Sequence, residues 1–409
     1  MRILQVNKFY YPRGGADKYF LDLSSALESA GDQVAVFSMA SPNNLPSKFS
    51  PYFVSNIDFD KISPKDFLKI PGRIIYSLEA KRKFKKLVAD FKPDIIHIHN
   101  IYHQISPSIL DVARSAKIPV VMHLHDYKLI CPNYQLFVDG KTCEACRKTK
   151  YYHCTQKKCL KGSTSKSLLA TIEMYIHHSI LKIYKKNITF FISPSQFMKN
   201  EIISFGWPEN KIEIIANPYS SSLIATEEEI SNNNEENYLL YFGRLSPEKG
   251  LTTLIKAAAI SNLPIKFVGA GPEEENLRKE AKRLNVLTDF TGFKHKEELK
   301  LIILKAKAVI IPSIWYENMP LSLLEALSLG KIVIASDIGG IPEIISPGIN
   351  GLLFKPGDAK DLSDKINSLD NIIKSDLKKA ARESVKNFTL KNNAEKVKQL
   401  YTRILKNTP

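Results

Sequence analysis

The chain of 409 residues has no apolar run near the roughly 18 residues that a membrane-spanning helix needs; lysines interrupt the best stretch, Ile180 to Ile192. Its first residues, Met-Arg-Ile-Leu-Gln-Val, reach polar Asn7 and Lys8 too soon to form the apolar core of a secretory leader, so they read as a first strand and imply a cytoplasmic protein. Also missing are internal repeats, low-complexity tracts and a phosphate loop of the form G-x-x-x-x-G-K-[ST]. Val268-Gly-Ala-Gly-Pro272 begins like a dinucleotide fingerprint, but Glu274 stands where the third glycine belongs. These absences weigh against membrane-spanning, fibrous, ATPase and redox classes. Cysteine is absent everywhere except between Cys131 and Cys159.

What is present is the balance of a folded protein, 44% hydrophobic and 24% charged, and enough chain for two cores. Short β-rich runs alternate with helical patterns, which predicts an α/β fold of parallel sheets wrapped by helices. The runs include Ile3–Val6, Val34–Phe37, Ile95–Ile98, Val120–His123 and Thr189–Ile192, then restart with Tyr238–Phe242, Ile265–Val268, Val309–Ile311 and Ile332–Ala335. Between the two series, Ala225–Asn237 is rich in Glu and Asn and reads as an exposed connection. A last helix carries Ala394, Val397, Leu400, Tyr401 and Leu405 at helical spacing and must bury that stripe against one of the lobes.

The net charge of +16 is uneven, since residues 1–220 hold 31 Lys and Arg against 18 Asp and Glu. Lys81-Arg-Lys-Phe-Lys-Lys86 is the densest basic stretch. It fits a solvated helix face, or a contact with anionic lipid or a phosphorylated acceptor. No nucleic-acid-binding module accompanies it, so a nucleic-acid partner is not expected.

Ligands in parallel sheets bind beyond the carboxyl ends of strands, and the informative residues fall there. The first run leads into Gly14-Gly15, which fits either a close ligand approach or an ordinary tight turn. In Gly-Arg-Leu-Ser-Pro-Glu-Lys-Gly (243–250), Arg244 and Lys249 stand where a phosphate chain can be held. Pro320 and Gly330 bracket a helix in which Glu325 sits among leucines. A carboxylate there needs hydroxyl or amide donors, which a ribose supplies. Glu317 lies eight residues earlier, ahead of that helix. In the first half, Asp94-Ile-Ile-His-Ile-His-Asn100 and Met122-His-Leu-His-Asp-Tyr127 end strands; such histidines are more often structural than catalytic. Asp58-Phe-Asp60 has no supporting context as a metal motif and reads as a loop.

The Glu-x7-Glu pair, the 243–250 motif, Ile338-Gly-Gly-Ile-Pro-Glu343, Asn350-Gly-Leu-Leu and the Gly14-Gly15 loop together resemble glycosyltransferase family 4 over nearly the whole chain. The resemblance implies a GT-B architecture, two Rossmann-like domains facing across a cleft. Residues 1–220 would be the acceptor side, 221–390 would bind a nucleotide sugar, in keeping with family habit a UDP-sugar, and 391–409 would return toward the N-terminal domain. It implies retaining transfer of a sugar to a glycan or lipid-linked acceptor in cell-surface polysaccharide synthesis, at the inner face of the membrane and with no obligatory metal. Catalytic roles then fall to His125, Glu317, Arg244 and Lys249, with His99 a second choice to His125. Donor-binding residues would be Gly14, Gly15, Gly243, Arg244, Lys249, Gly269, Glu317, Asn318, Met319, Leu321 and Glu325. Two rivals remain open: a nucleotide-sugar epimerase of the same fold, and a zinc-bearing scaffold or nucleic-acid protein with a vestigial pocket.

The cysteines form two close pairs, Cys143-x2-Cys146 and Cys154-x4-Cys159, within a segment of residues 131–160 that also carries Lys141, Arg147, Lys148, Lys150, Lys157 and Lys158. In a cytoplasmic chain they fit a structural four-thiolate zinc site, with Cys131 or His153 as alternate ligands, or a set of reduced free thiols.

Overall fold

The computed structural model describes residues 1–57, 70–220, 223, 225–226, 229, 234–371 and 374–407. Asp58 and Asp60 lie outside them, as does part of the connection 225–237. Two six-stranded parallel sheets form the framework. The first comprises β1 (Arg2–Val6), β2 (Gln33–Phe37), β3 (Ile95–Ile98), β4 (Val120–His123), β7 (Phe190–Ser193) and β8 (Ile212–Ile214), in the order β2-β1-β3-β4-β7-β8. A small antiparallel hairpin, β5 (Phe137–Val138) with β6 (Lys141–Thr142), lies outside it. The second sheet comprises β9 (Leu239–Phe242), β10 (Ile265–Val268), β11 (Thr288–Phe290), β12 (Ala308–Ile311), β13 (Val333–Ser336) and β14 (Leu352–Phe354), in the order β11-β10-β9-β12-β13-β14.

Apart from Gln5 in β1 and His97 in β3, the central strands read as largely apolar runs because both faces of each sheet are covered, which is the condition for a parallel sheet to be stable. Separate apolar clusters flank the two faces, with Leu4, Phe37, Phe84 and Ile96 on one side of the first sheet and Ile3, Leu23, Ile95 and Val121 on the other. Leu240, Val309, Leu323 and Leu327 line one side of the second sheet, and Leu239, Phe267, Ile310 and Ile334 the other.

The strand order reverses between β1 and β3 in the first sheet, and between β9 and β12 in the second. At such a point the loops leaving neighbouring strands diverge to opposite faces and leave a crevice. The crevice of the first sheet is bordered by Asn7–Gly15 and by His99-Asn100, that of the second by Gly243-Arg244 and by the loop from Pro312 to Pro320.

The final helix, Leu390–Lys406, returns to the first sheet and buries Ala394, Val397, Leu400, Tyr401 and Ile404 against Ile3, Tyr19, Leu23 and Ile95. Ile404 takes the place expected of Leu405, which is half-buried, because Val397, Leu400, Tyr401 and Ile404 keep the three- and four-residue steps of one helix face. Among the described residues no helix is long and apolar enough to cross a membrane.

Candidate active site between the two lobes

The second-lobe wall is built around Glu317. Its carboxylate is buried, with Oε1 accepting from Lys249 Nζ at 2.7 Å and from Ser313 Oγ at 2.5 Å. Burial pushes the Glu317 carboxyl upward, but Lys249 and the donors Ser313 and Trp315 outweigh it and hold the group below its ordinary value, so it is ionised. Lys249 is further fixed over the Trp315 ring, 5.0 Å from its centre. Arg244, by contrast, is exposed and has no ion-pair partner among the described residues. The strand ends are pressed together, since a Cβ on Gly269 would stand 2.0 Å from the Gly243 carbonyl oxygen. A Cβ on Gly340 would likewise stand 1.9 Å from the carbonyl of Asn318. The Gly339-Gly340 turn therefore backs the Glu317 loop directly, and the Gly340 N–H donates to the Glu317 carbonyl at 2.7 Å.

Glu325 opens the same way from the helix Leu321–Ser328, which starts after Pro320. Only 8% of it is exposed, and burial raises its carboxyl above the ordinary value despite Lys18 Nζ at 3.5 Å. Lys18 comes from the other lobe, one turn into the helix Gly15–Ser29. Gly15 itself faces Leu321, whose Cδ1 would lie 3.2 Å from an added Cβ, while Gly14 is the extended residue capping that first helix.

The first-lobe wall is made of histidines. Alternation along β3 and β4 puts His97, His99, His123 and His125 on one face, with His123 and His125 stacked at 4.4 Å. Burial drives all four below the ordinary imidazole range, His97 and His125 to about 3. They are neutral. Gln5 Oε1 can only accept, so His99 Nε2, 2.9 Å away, carries its hydrogen. His99 Nδ1 is then an acceptor, and the proton in its 2.8 Å bond belongs to His125 Nε2. The remaining His125 nitrogen, Nδ1, is left with its lone pair. Tyr401 of the returning helix bonds His97 Nδ1 at 2.6 Å and completes the support.

The lobes meet through these same segments. Asn318 Nδ2 donates to the His125 carbonyl at 2.9 Å, and the Asn217 backbone N–H reaches Met319 Sδ at 3.2 Å. Glu343 caps the first-lobe helix Gln196–Ser204 by accepting from the N–H groups of Gln196 and Phe197 at 2.8 and 2.5 Å. Lys249, Glu317, Asn318, Met319, Leu321, Glu325, His125 and His99 thus converge on one interlobe region. Lys18, Ser313 and Gln5 belong to it as well and were not singled out in the sequence, and Glu343, quoted there only as part of a motif, joins them. Gln5 had a signal, a polar side chain in the middle of an apolar strand; Lys18 and Ser313 had none.

Cys131, Cys143, Cys146, Cys154 and Cys159 are all free and all line a single small cavity in the segment after β4. His153, one of the two alternate ligands, is not on it: its ring bonds Gln156 at 3.0 Å and packs on Tyr152 at the surface. On the basic helix Leu78–Phe91, Arg82, Lys85 and Lys86 are exposed, whereas Lys81 and Lys83 are engaged by Tyr76 and by Phe53 and Glu79.

A model of glycosyltransferase family 4 matches residues 13–222, and one of group 1 glycosyl transferases matches residues 224–401. The chain belongs to glycosyltransferase family 4. Among curated relatives, it is 27% identical to the O-antigen chain mannosyltransferase C of Escherichia coli over 91% of this chain and 89% of that one. It is 27% identical to an uncharacterized 42.6 kDa protein of the Klebsiella pneumoniae cps region, over 84% of this chain and 87% of that one. The fold is that of GT-B glycosyltransferases. The Anabaena protein HepE, solved in complex with UDP, superposes with a TM-score of 0.70 at 18% identity over 98% and 100% of the two chains. Sucrose-phosphate synthase from Thermosynechococcus elongatus gives 0.70 at 19% identity over 98% of each.

Proposed function

We propose that this family 4 enzyme is a retaining transferase that moves a hexosyl or related sugar from a nucleotide diphosphate sugar, a UDP-sugar, to a glycan or lipid-linked acceptor in cell-surface polysaccharide synthesis. The observation that carries the reading is the ionised, buried Glu317 held by Lys249 at the point where the second sheet reverses its strand order, with Arg244 open beside it. The UDP in HepE and the O-antigen and cps-region relatives support the donor and the pathway class.

In this reading Glu325 takes the ribose hydroxyls, and Arg244 and Lys249 receive the diphosphate. As the bond from the anomeric carbon to the diphosphate oxygen breaks, negative charge grows on the leaving group and positive charge on the sugar. Two cations aimed at that oxygen stabilise the transition state more than the substrate, and supply charge that a divalent ion would otherwise bring. The acceptor oxygen bonds the same face of the anomeric carbon, and its proton passes to the departing phosphate oxygen. Neutral His125, its tautomer fixed through His99 and Gln5, orients a sugar hydroxyl by accepting its hydrogen at Nδ1. We assign no protein nucleophile. The enzyme works in the cytoplasm at the membrane's inner face, where Arg82, Lys85 and Lys86 meet anionic headgroups.

Incubation with a panel of nucleotide sugars and lipid-linked or oligosaccharide acceptors tests this, with nucleoside diphosphate release and the anomeric configuration of the product read by NMR. Acceptor-dependent release and a retained anomer in the presence of a chelator are expected. A product formed without acceptor would mean an epimerase, and an inverted anomer would remove the same-face mechanism.

A further inference from the structure

Residues 127–162, between β4 and the helix Thr164–Met174, form an insertion with little regular structure to hold it. Its elements are the two-residue strands β5 and β6, a three-residue turn at Arg147–Thr149 and the five-residue helix Tyr152–Gln156. Of the fourteen non-glycine residues with positive φ among the described residues, seven lie between Tyr134 and Lys161, so the backbone here is unusually unfavourable on its own. Tyr127, Leu129, Ile130, Cys131 and Leu136 anchor its first part in the first-lobe core, but the rest has only a small apolar cluster that is itself partly cysteine: Cys146, Tyr151 and Cys154, with Met174 of the following helix. A segment of this size ordinarily needs a disulfide or a metal to hold one shape. It has no disulfide.

All five cysteines of the chain line one cavity, with Asn133 and Phe137 among its other walls. Its free space, about 10 Å³ for the centre of a water-sized sphere, admits one atom-sized guest. Donors point at the sulfurs: the Cys154 N–H toward Cys146, and Lys157 Nζ toward Cys143 at 3.5 Å. Cys131 differs in giving its own S–H to Asn133 Oδ1 at 2.8 Å, whereas the other sulfurs receive donors or face one another. That leaves Cys143, Cys146, Cys154 and Cys159, two pairs of soft ligands.

We propose that Cys143, Cys146, Cys154 and Cys159 form a structural zinc site that fixes this insertion against the donor-site loop of the second lobe. Each ligating thiol gives its proton to solvent as the thiolate bonds the ion. No three of the sulfurs stand within 4.8 Å of one another, so the ion draws the two pairs inward. The histidines His97, His99 and His123 do come that close, but they are poor hosts: His99 spends both nitrogens on Gln5 and His125, and His97 Nδ1 is bonded to Tyr401.

The insertion reaches the chemistry through Glu144, which lies between Cys143 and Cys146. Glu144 Oε1 accepts from Tyr316 Oη at 2.8 Å, and Glu144 Oε2 pairs with Arg147 at 2.6 Å. Tyr316 directly precedes Glu317, so a rigid insertion sets the position from which the first lobe grips the Glu317 loop. This second role rests on the reading of Glu317 as a donor-site residue; the metal does not.

The full-length chain, purified without chelator under reducing conditions, is analysed for metal and reconstituted with cobalt(II). About one zinc per chain is expected, together with the intense thiolate-to-cobalt charge-transfer and visible bands of a tetrahedral four-sulfur site. Less than about 0.2 zinc per chain, an iron–sulfur chromophore, or zinc that persists in the Cys143→Ser, Cys146→Ser double variant overturns the site. If that variant fails to fold, the cobalt spectrum of the unmodified chain still decides. Neither readout depends on substrate, so a failed transferase assay leaves the metal result intact. Glu144→Gln should keep its zinc while lowering kcat several-fold with the nucleotide affinity unchanged. Unchanged kcat would overturn the latch.

Discussion

The two walls of the cleft start from the same architecture, strand ends at a reversal of sheet order, and carry opposite electrostatics. The second-lobe wall carries the ion pair of Glu317 with Lys249, Glu317 being kept ionised against burial by its partners, and the exposed Arg244 on the neighbouring strand end. The first-lobe wall is four imidazoles made neutral by burial, with the hydrogens of His99 and His125 ordered by Gln5. In the proposed reading, charge stands where the bond to phosphate would break, and neutral dipoles where an uncharged sugar would be oriented. A cationic wall on both sides would hold the phosphate without favouring its departure.

The comparison is broken most directly at Glu317 and Lys249. Glu317→Ala or Lys249→Ala should each lower kcat by about 10²- to 10³-fold, because each loses a group aimed at developing charge and leaves its partner uncompensated. Steady-state release of nucleoside diphosphate measures it, and near-normal rates in both would place the charged wall elsewhere.

The neutral wall is tested by acid. His97 and His125 titrate at about 3 in the folded chain against about 6.5 unfolded, so below pH 6.5 the unfolded chain binds protons that the folded one refuses. Their contribution is complete above pH 6.5 and is lost as pH falls toward 3, about 1 kcal/mol for each of the two by pH 5.5. Denaturant midpoints at pH 7.5 and 5.5 should show the loss, and His97→Asn, His125→Asn should flatten the dependence. A slope unchanged by those substitutions would mean the wall is not neutral.

Glu325→Ala should weaken nucleotide-sugar binding about tenfold with a smaller change in kcat, the reverse of the pattern at Glu317. Calorimetry with the donor alone separates the two, and equal effects on affinity would merge their roles. The smallest change is expected from Gln5→Leu, which frees the hydrogen order of His99 and His125: a loss of about fivefold to tenfold in kcat, with KM retained. A change in KM alone would make Gln5 a packing residue.

The charged wall was legible in the sequence because its residues sit in short contiguous motifs, 243–250 and 311–330. The neutral wall was only half legible. His125 and His99 could be named, but Gln5 and Tyr401 reach them from segments far away in the chain, and nothing local marks such a meeting. The central strands were readable as apolar runs, whereas β8, β11 and β14 were not. All three are edge strands of three residues, too short to show a pattern. Glu343 lay in a recognised motif, yet its work as a cap on the opposite lobe's helix appears only in three dimensions.

The returning helix Leu390–Lys406 has a consequence for the order of synthesis. A lobe at the start of a chain usually folds as it leaves the ribosome. Here Ile3, Tyr19, Leu23 and Ile95 stay uncovered until the whole second lobe has been made and the helix arrives. The lobe that is translated first is finished last, and a substitution that slows the second lobe leaves an apolar face of the first open to chaperones and proteases in the meantime.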